Sequence, residues 1–520
     1  MRIAYLPLDE RPVNTDLVRD IATLSGGQLL LPPEELLPNQ REAGDADALG
    51  EWLRTIIGQE QVDTVVVSVD MLAFGGLIPS RTSADDVREA LGRLEVLTSV
   101  KQSLPQVPIH GVSLVMRASD SYSAGEEPEY WSSYGRDLHA YGGARHRDFL
   151  NRAALVDDQA TTAAGQAIPT DVLLDFTHRR LRNHLVNLTA IDMAARGIFD
   201  TLVITSDDTA TRSAGSLEQI WLQNWSRVLP GAGDVAFYPG ADEVGAVLLA
   251  RAMTESAGDP VRLAPVCPEP EGWSRVAEFE NMPLDQATIR QIHAAGGVSA
   301  EAADAEVVLV VHAPAPAGFG RGSGQMGADG QDPVHRTVAA VAEHLGAGRR
   351  VALADVRYSN GSDTGLLHHL EQAGLVGQLW AYGGWNTAGN TTGGVVATAV
   401  AGVLASRAGQ VDQSAVQRLL LHRILEDHEY QGVLREQIRA RLHGQGVLDD
   451  LGDRFPSGQV EAAVAEEIRG RLQAAADRLS GPGRWTLRDV HLPWHRLFEV
   501  GFTLVPGPGK DGGPDRAASP

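Results

Sequence analysis

Eight short apolar runs, each stopping abruptly at polar side chains, recur along the first 390 residues. They are RIAYLPLDERPVN (2–14), DTVVVSVDM (63–71), PIHGVSLVMRASD (108–120), DTLVITSDD (200–208), DVAFYPGADE (234–243), EVVLVVHAP (306–314), RVALADVRYSNGSD (350–363) and QLWAYGGWNTAGN (378–390). Helical segments separate them. Continuous apolar strands alternating with helices predict a parallel sheet covered on both faces. Eight such units over roughly 400 residues fit the length of an inserted (β/α)8 barrel. The expected fold class is therefore α/β, a TIM-like barrel with a C-terminal helical appendage. A ninth run, QLLLPP (28–33), is either an extra strand in the first connection or a sign of an open, doubly wound sheet.

The expected organisation is a barrel over 1–408, a mainly helical region over 409–506 and a disordered Pro/Gly-rich tail over 507–520. Residues 118–180 form a long insertion after the third strand, rich in aromatic and charged side chains, which reads as a lid or cleft wall. A helix over 178–197 leads out of it. Residues 315–332 read as a Gly-rich, mobile loop. From Val411 the apolar residues take up helical spacing, and 485–504 is expected to pack back on the barrel.

Composition excludes several roles. A formal charge of −23 with 44 Lys and Arg against 67 Asp and Glu disfavours phosphate-backbone contacts, so no nucleic-acid partner is expected. The single cysteine, Cys267, rules out an intrachain disulfide framework. No uninterrupted apolar stretch of about 18 residues and no signal-like N-terminus are read, so a cytoplasmic protein without a membrane partner is expected. Oligomeric state is left open.

Active sites of parallel α/β proteins lie at the carboxyl ends of the strands. Here those ends carry Asp9, Glu10 and Arg11; Asp70; Arg117; Asp207 and Asp208; Tyr238, Asp242 and Glu243; Asp355 and Asn360; and Trp385, Asn386 and Asn390. Any one of these is an ordinary strand-end or cap residue; the whole set is more than a plain barrel mouth needs. Carboxylates and amides bind hydroxyl groups, and Tyr or Trp faces stack on sugar rings. The inventory therefore points to a small carbohydrate. No phosphate-binding glycine motif, HExxH sequence or G-x-S-x-G elbow accompanies it, and no metal ligand set or cofactor is expected.

Asp207 and Asp208 pose the sharpest question. A conventional glycosidase needs two carboxyl groups across the scissile bond, about 5–9.5 Å apart. Sequence neighbours flank a bond poorly. They suit a substrate-assisted reaction, in which the substrate's acetamido oxygen attacks the anomeric carbon. One carboxylate then orients the acetamido N–H while the other acts as acid and base. Mutual repulsion raises one of the two pKa values, which suits an acid.

The SDD block resembles the adjacent Asp pair of O-GlcNAcase-type and related bacterial hexosaminidases. That resemblance implies an acetamido-orienting role for Asp207 and an acid/base role for Asp208. It also implies sugar-holding roles for Tyr238, Trp385, Asn386 and Asn390. A second resemblance covers almost the whole chain. PLDERPVN, VVSVDMLAFGGLIPSR, ITSDDT, YPGADEVG and AYGGWNTAGNTTG resemble the blocks of a bacterial family of about 500 residues, a domain of unknown function. It implies no particular activity. The expected function is a retaining, substrate-assisted β-N-acetylhexosaminidase. The alternatives are a two-carboxylate glycosidase pairing Asp208 with Asp242 or Glu243, a hydrolase with a metal on Asp9, Asp70 and Asp207, or a non-catalytic carbohydrate-binding protein.

Overall fold

The computed structural model describes residues 1–151, 163–232, 235–316, 332–448 and 453–507. Most of the Gly-rich loop and nearly all of the C-terminal tail read from the sequence lie outside them.

All eight expected runs form strands, but their pairing is not that of one barrel. The first sheet contains β1 (Arg2–Leu6), β2 (Gln28–Leu30), β3 (Thr64–Ser68), β4 (Ile109–Val115), β5 (Thr201–Ser206) and β6 (Ala236–Pro239). Their spatial order is β2-β1-β3-β4-β5-β6. The second sheet contains β7 (Arg262–Val266), β8 (Val298–Ser299), β9 (Val307–His312), β10 (Arg350–Asp355) and β11 (Ala381–Gly383), in the order β11-β10-β9-β7-β8. Every pair in both sheets is parallel.

Two parallel sheets therefore stand where the sequence reading placed one closed barrel, and no closure appears among the described residues. The reason lies in the ladders. QLL of the ninth run pairs with one edge of β1 and β3 takes the other, so no later strand can return to β1. The segment RLAPV, not anticipated as a strand, occupies the free edge of β9. The first five strands of each sheet, counted within that sheet, follow the same order 2-1-3-4-5. This is the flavodoxin-like, doubly wound arrangement, whose ligand crevice lies at the point where strand order reverses.

Local sequence explains the layers. TVVVS in β3 and VVLVVH in β9 are buried throughout, because helices cover both faces. Between the sheets lie two helices, Val244–Ala257 and Ala388–Arg407. Their side chains join Ile3, Tyr5 and Val66 of one sheet and Val307, Leu309 and Ala352 of the other in one core. The second helix is long and apolar enough to cross a membrane, yet 89% of that stretch is buried inside the protein. Its small residues permit close packing. At Gly393 a Cβ would stand 2.3 Å from Glu243 Cγ.

The insertion after β4 contributes two long helices, Trp131–Asn151 and Thr170–Ala195. The C-terminal region has its own core, built from helices Gln413–Arg423, Arg435–Gly444 and Gly458–Ser480. The antiparallel pair β12 (Trp485–His491) and β13 (Gly501–Pro506) completes it. Between the first two helices, Ile424–Leu434 runs as a π-helix of 11 residues. Wide turns of this length are rare and tend to occur beside functional sites. The link between β12 and β13 returns to the sheets, where Trp494 enters the core shared by both.

Candidate active site

The strand ends of the first sheet converge on a network of ion pairs. β5 stops at Ser206, and the next two residues turn to different partners. Asp207 pairs with Arg81, a residue of the short helix Leu77–Thr82. Asp208 accepts a hydrogen bond from Arg117 Nη1 at 2.7 Å. Arg117 follows β4 and also donates to Glu127 at 2.7 Å and Glu126 at 2.9 Å, both in the insertion. Glu126 in turn pairs with Arg496 from the link between β12 and β13. The insertion and the C-terminal region are thus tied together beside the Asp pair.

A second network anchors the end of β1. Arg11 is buried and donates to Asp9 from Nε at 3.0 Å and Nη2 at 2.6 Å. It also pairs with Asp242 after β6, and Glu499 lies 3.6 Å from Nη1. Asn14 Nδ2 donates to Asp9 at 2.8 Å. Burying one guanidinium among three carboxylates costs solvation that only complete pairing offsets.

Both networks border one cavity of about 130 Å³. Arg11, Arg117, Asp207, Asp208, Asp242, Asn360 and Asn386 line it. All seven were expected at the site. Seven lining residues were not: Leu77, Arg81, Glu126, Phe279, Trp494, Arg496 and Phe498. Arg81 closes the block GGLIPSR, and the other signals were dense pairings of aromatic and charged residues in EEPEYW and PWHRLFE. The second sheet supplies Asn360 and Asn386, whose backbones are joined by Asn360 N–H donating to Asn386 C=O at 3.0 Å.

The other expected residues stand behind the cavity and support it. Glu10 accepts from Trp494 Nε1 at 2.6 Å and from the Gln40 backbone at 2.9 Å. Asp9 holds Arg11, and Asp70 accepts the Leu114 N–H at 2.9 Å. Asn390 Oδ1 accepts the N–H groups of Ala241 and Asp242, which fixes the turn after β6. Trp385 packs edge-on to Phe498 with centroids 6.3 Å apart. Tyr238 is fully buried. Asp355 accepts the Asp363 N–H at 2.7 Å, within the second sheet. Asp9, Asp70 and Asp207 therefore each have a separate partner. Among the described residues no group of three or more acidic, His or Cys side chains is arranged to share a metal ion.

Backbone strain collects at the same place. Asp208, Phe279, Asn360 and Trp494 have φ values of 23°, 64°, 58° and 57°. Bulky residues seldom adopt φ above zero, and such residues persist where the surrounding structure holds them for function. Thr209 N–H donates to Phe279 C=O at 2.9 Å, which links the strained turn after β5 to the strained aromatic.

Electrostatics divides the acids by role. Burial pushes Asp208 up to about 6, with Arg117 opposing and Asp207 reinforcing the rise. Glu126, despite its burial, is held well below the usual carboxylate range by Arg496, Arg117 and Arg81. Burial raises Asp242 while Arg11 opposes it. Glu243 and Glu280 face away from the cavity, toward Gln291 and the start of the Ala388–Arg407 helix. Burial pushes both to about 8. In the unfolded chain they would titrate near 4.3. Between these values the folded state binds more protons, so this contribution to stability is full below about pH 4 and declines as pH rises through 8. Glu243→Gln with Glu280→Gln should flatten the fall in urea-unfolding free energy between pH 5 and 8. An unchanged slope would show that these carboxyls are not protonated in the folded protein.

Fold and site together define a two-sheet parallel α/β protein with an acid–arginine cavity at its strand ends. No curated protein matches the chain in sequence. The chain belongs to a family described as a protein of unknown function, whose model matches residues 3–503.

Proposed function

We propose that the protein is a glycoside hydrolase acting on N-acetylhexosaminides with help from the substrate's acetamido group. The observation that carries this reading is the split environment of two adjacent carboxylates on one cavity. Asp208 is partly exposed and raised to about 6 by burial, which suits an acid that must hold its proton near neutral pH. It would protonate the leaving oxygen and then, as carboxylate, take a proton from water. Asp207, tethered to Arg81, would accept the acetamido N–H and stabilise the charge that develops on the acetamido group as its oxygen attacks the anomeric carbon. Asn360 and Asn386 offer amide partners for ring hydroxyls.

Hydrolysis of a nitrophenyl N-acetyl-β-hexosaminide, inhibited by an acetamido-thiazoline, tests the reading. Absence of cleavage across gluco- and galacto-configured substrates would refute it. The basic limb of kcat/KM should lie near pH 6. Because Arg117 favours the ionised form of Asp208, Arg117→Gln should move that limb upward, and a downward shift would contradict the assignment.

A second reading has one specific support. Asp242 lines the same cavity, so it is positioned to share a two-carboxylate mechanism with Asp208. Insensitivity to the thiazoline, with azide rescue of Asp242→Ala, would favour it. Its commitment to Arg11 and Asn14 makes it the weaker candidate.

A further inference from the structure

Three features of the cavity bear on how much of a glycan it can hold. Its volume, about 130 Å³, is small. Clefts for drug-sized ligands begin at about 300 Å³, whereas an engineered cavity of about 150 Å³ takes one benzene ring. The space is therefore too small for two sugar rings. Its walls also come from every part of the chain. Strand-end turns of the first sheet supply the Asp pair, the second sheet supplies Asn360 and Asn386, and the insertion and C-terminal link supply Glu126 and Arg496. The last two are ion-paired to each other, so neither wall is free to move aside alone.

The aromatic side chains add direction. Trp494 has the guanidinium carbons of Arg11 and Arg496 at 4.5 and 4.4 Å from its ring centroid. Phe498 is covered by Arg435 and Arg496, each at 4.9 Å. These two rings are occupied. Phe279 is 39% exposed, and its ring has no aromatic or cationic partner among the described residues. Its strained backbone keeps a large apolar face at the cavity wall, although burying that face elsewhere would be favourable.

We infer that the cavity is a blind subsite for one terminal sugar, so that the protein removes residues singly from chain ends, and that Phe279 is the face on which that sugar stacks. This rests on the glycosidase reading above. A cavity of this volume has no room for a glycan to continue through it, and the free ring offers the only unoccupied aromatic surface among its lining residues.

Binding separates the two levels of the argument. With Asp208→Asn protein, in which turnover is slowed by about 10²–10⁴-fold, N-acetylglucosamine and its β-1,4-linked trimer are titrated calorimetrically. Equal affinities, within about threefold, are expected, and Phe279→Ala should weaken both tenfold or more. A trimer bound tenfold or more tightly than the monomer would overturn the single-subsite inference while leaving the glycosidase reading intact. Unchanged binding in Phe279→Ala would remove the stacking role. Failure of either sugar to bind would count against both levels. With the native protein, trimer labelled at its reducing end should lose unlabelled monosaccharide first. Cleavage of a trimer blocked at its non-reducing end would overturn the inference independently of any variant's folding.

Discussion

Asp208→Asn is expected to reduce turnover of an alkyl N-acetylhexosaminide by about 10²–10⁴-fold, the usual range for loss of a general acid or base. The protein should remain folded, because Arg117 keeps its bonds to Glu126 at 2.9 Å and Glu127 at 2.7 Å. The informative comparison is between leaving groups. A nitrophenolate departs with little help from an acid, so bond cleavage should be impaired far less for the nitrophenyl substrate than for the alkyl one. Asp207→Asn should behave differently. If it orients the acetamido group, its loss weakens attack whatever the leaving group, and both substrates should slow alike. Equal sensitivity to leaving group in the two variants would mean that their roles have been assigned wrongly. Single-turnover kinetics with both substrates makes the measurement.

Arg11→Met should destabilise the protein strongly. The guanidinium stands buried among Asp9, Asp242 and Glu499. Removing one partner of such a cluster strands the others in a medium that solvates charge poorly, a cost of about 3–5 kcal/mol. Methionine roughly preserves the packing against Trp494, so the loss reports charge more than volume. Urea unfolding at two pH values provides a control. Burial already raises Asp242 and Glu499, and losing Arg11 raises them further. At pH 8 they must then stay charged without a partner or bind protons at a cost, and the penalty is large. Near pH 4.5 they can take up protons, so the difference from the native protein should shrink. A penalty independent of pH would show that packing, not charge, is what Arg11 supplies.

Much of the architecture was legible because the strands are long β-branched runs. TVVVS and VVLVVH leave no alternative to a strand buried on both faces. What failed was the closure, and the reason is specific. Closure depends on which edges are free, and those edges are decided by two weak strands. QLL is three residues long, and RLAPV is interrupted by Pro265 and partly exposed. Neither has the periodicity that would announce its pairing. The rule that strand ends converge was enough to bring the Asp pair, Arg11, Arg117 and Asp242 together from the sequence, and they line one cavity. It misjudged depth. Asp355, Trp385 and Glu243 also end strands or begin the turns after them, yet their side chains serve the packing behind the cavity. Arg81, Phe279 and the Trp494–Phe498 segment escaped notice because they do not follow a strand directly. Their positions depend on tertiary packing of an insertion and of a region more than 280 residues after the Asp pair.

That last separation has a consequence for how the protein comes into being. Trp494, Arg496 and Phe498 complete a wall whose floor is laid down by Arg11, Asp207 and Asp208. On the ribosome, the first sheet and its acids emerge long before the residues that enclose them. A nascent chain ending anywhere before Phe498 would carry the paired aspartates in an open, water-filled recess, where Asp208 loses the burial that raises its pKa. On the proposed glycosidase reading, the acid role of Asp208 therefore waits on the emergence of Phe498. Every shorter length holds the Asp pair without the walls of its cavity.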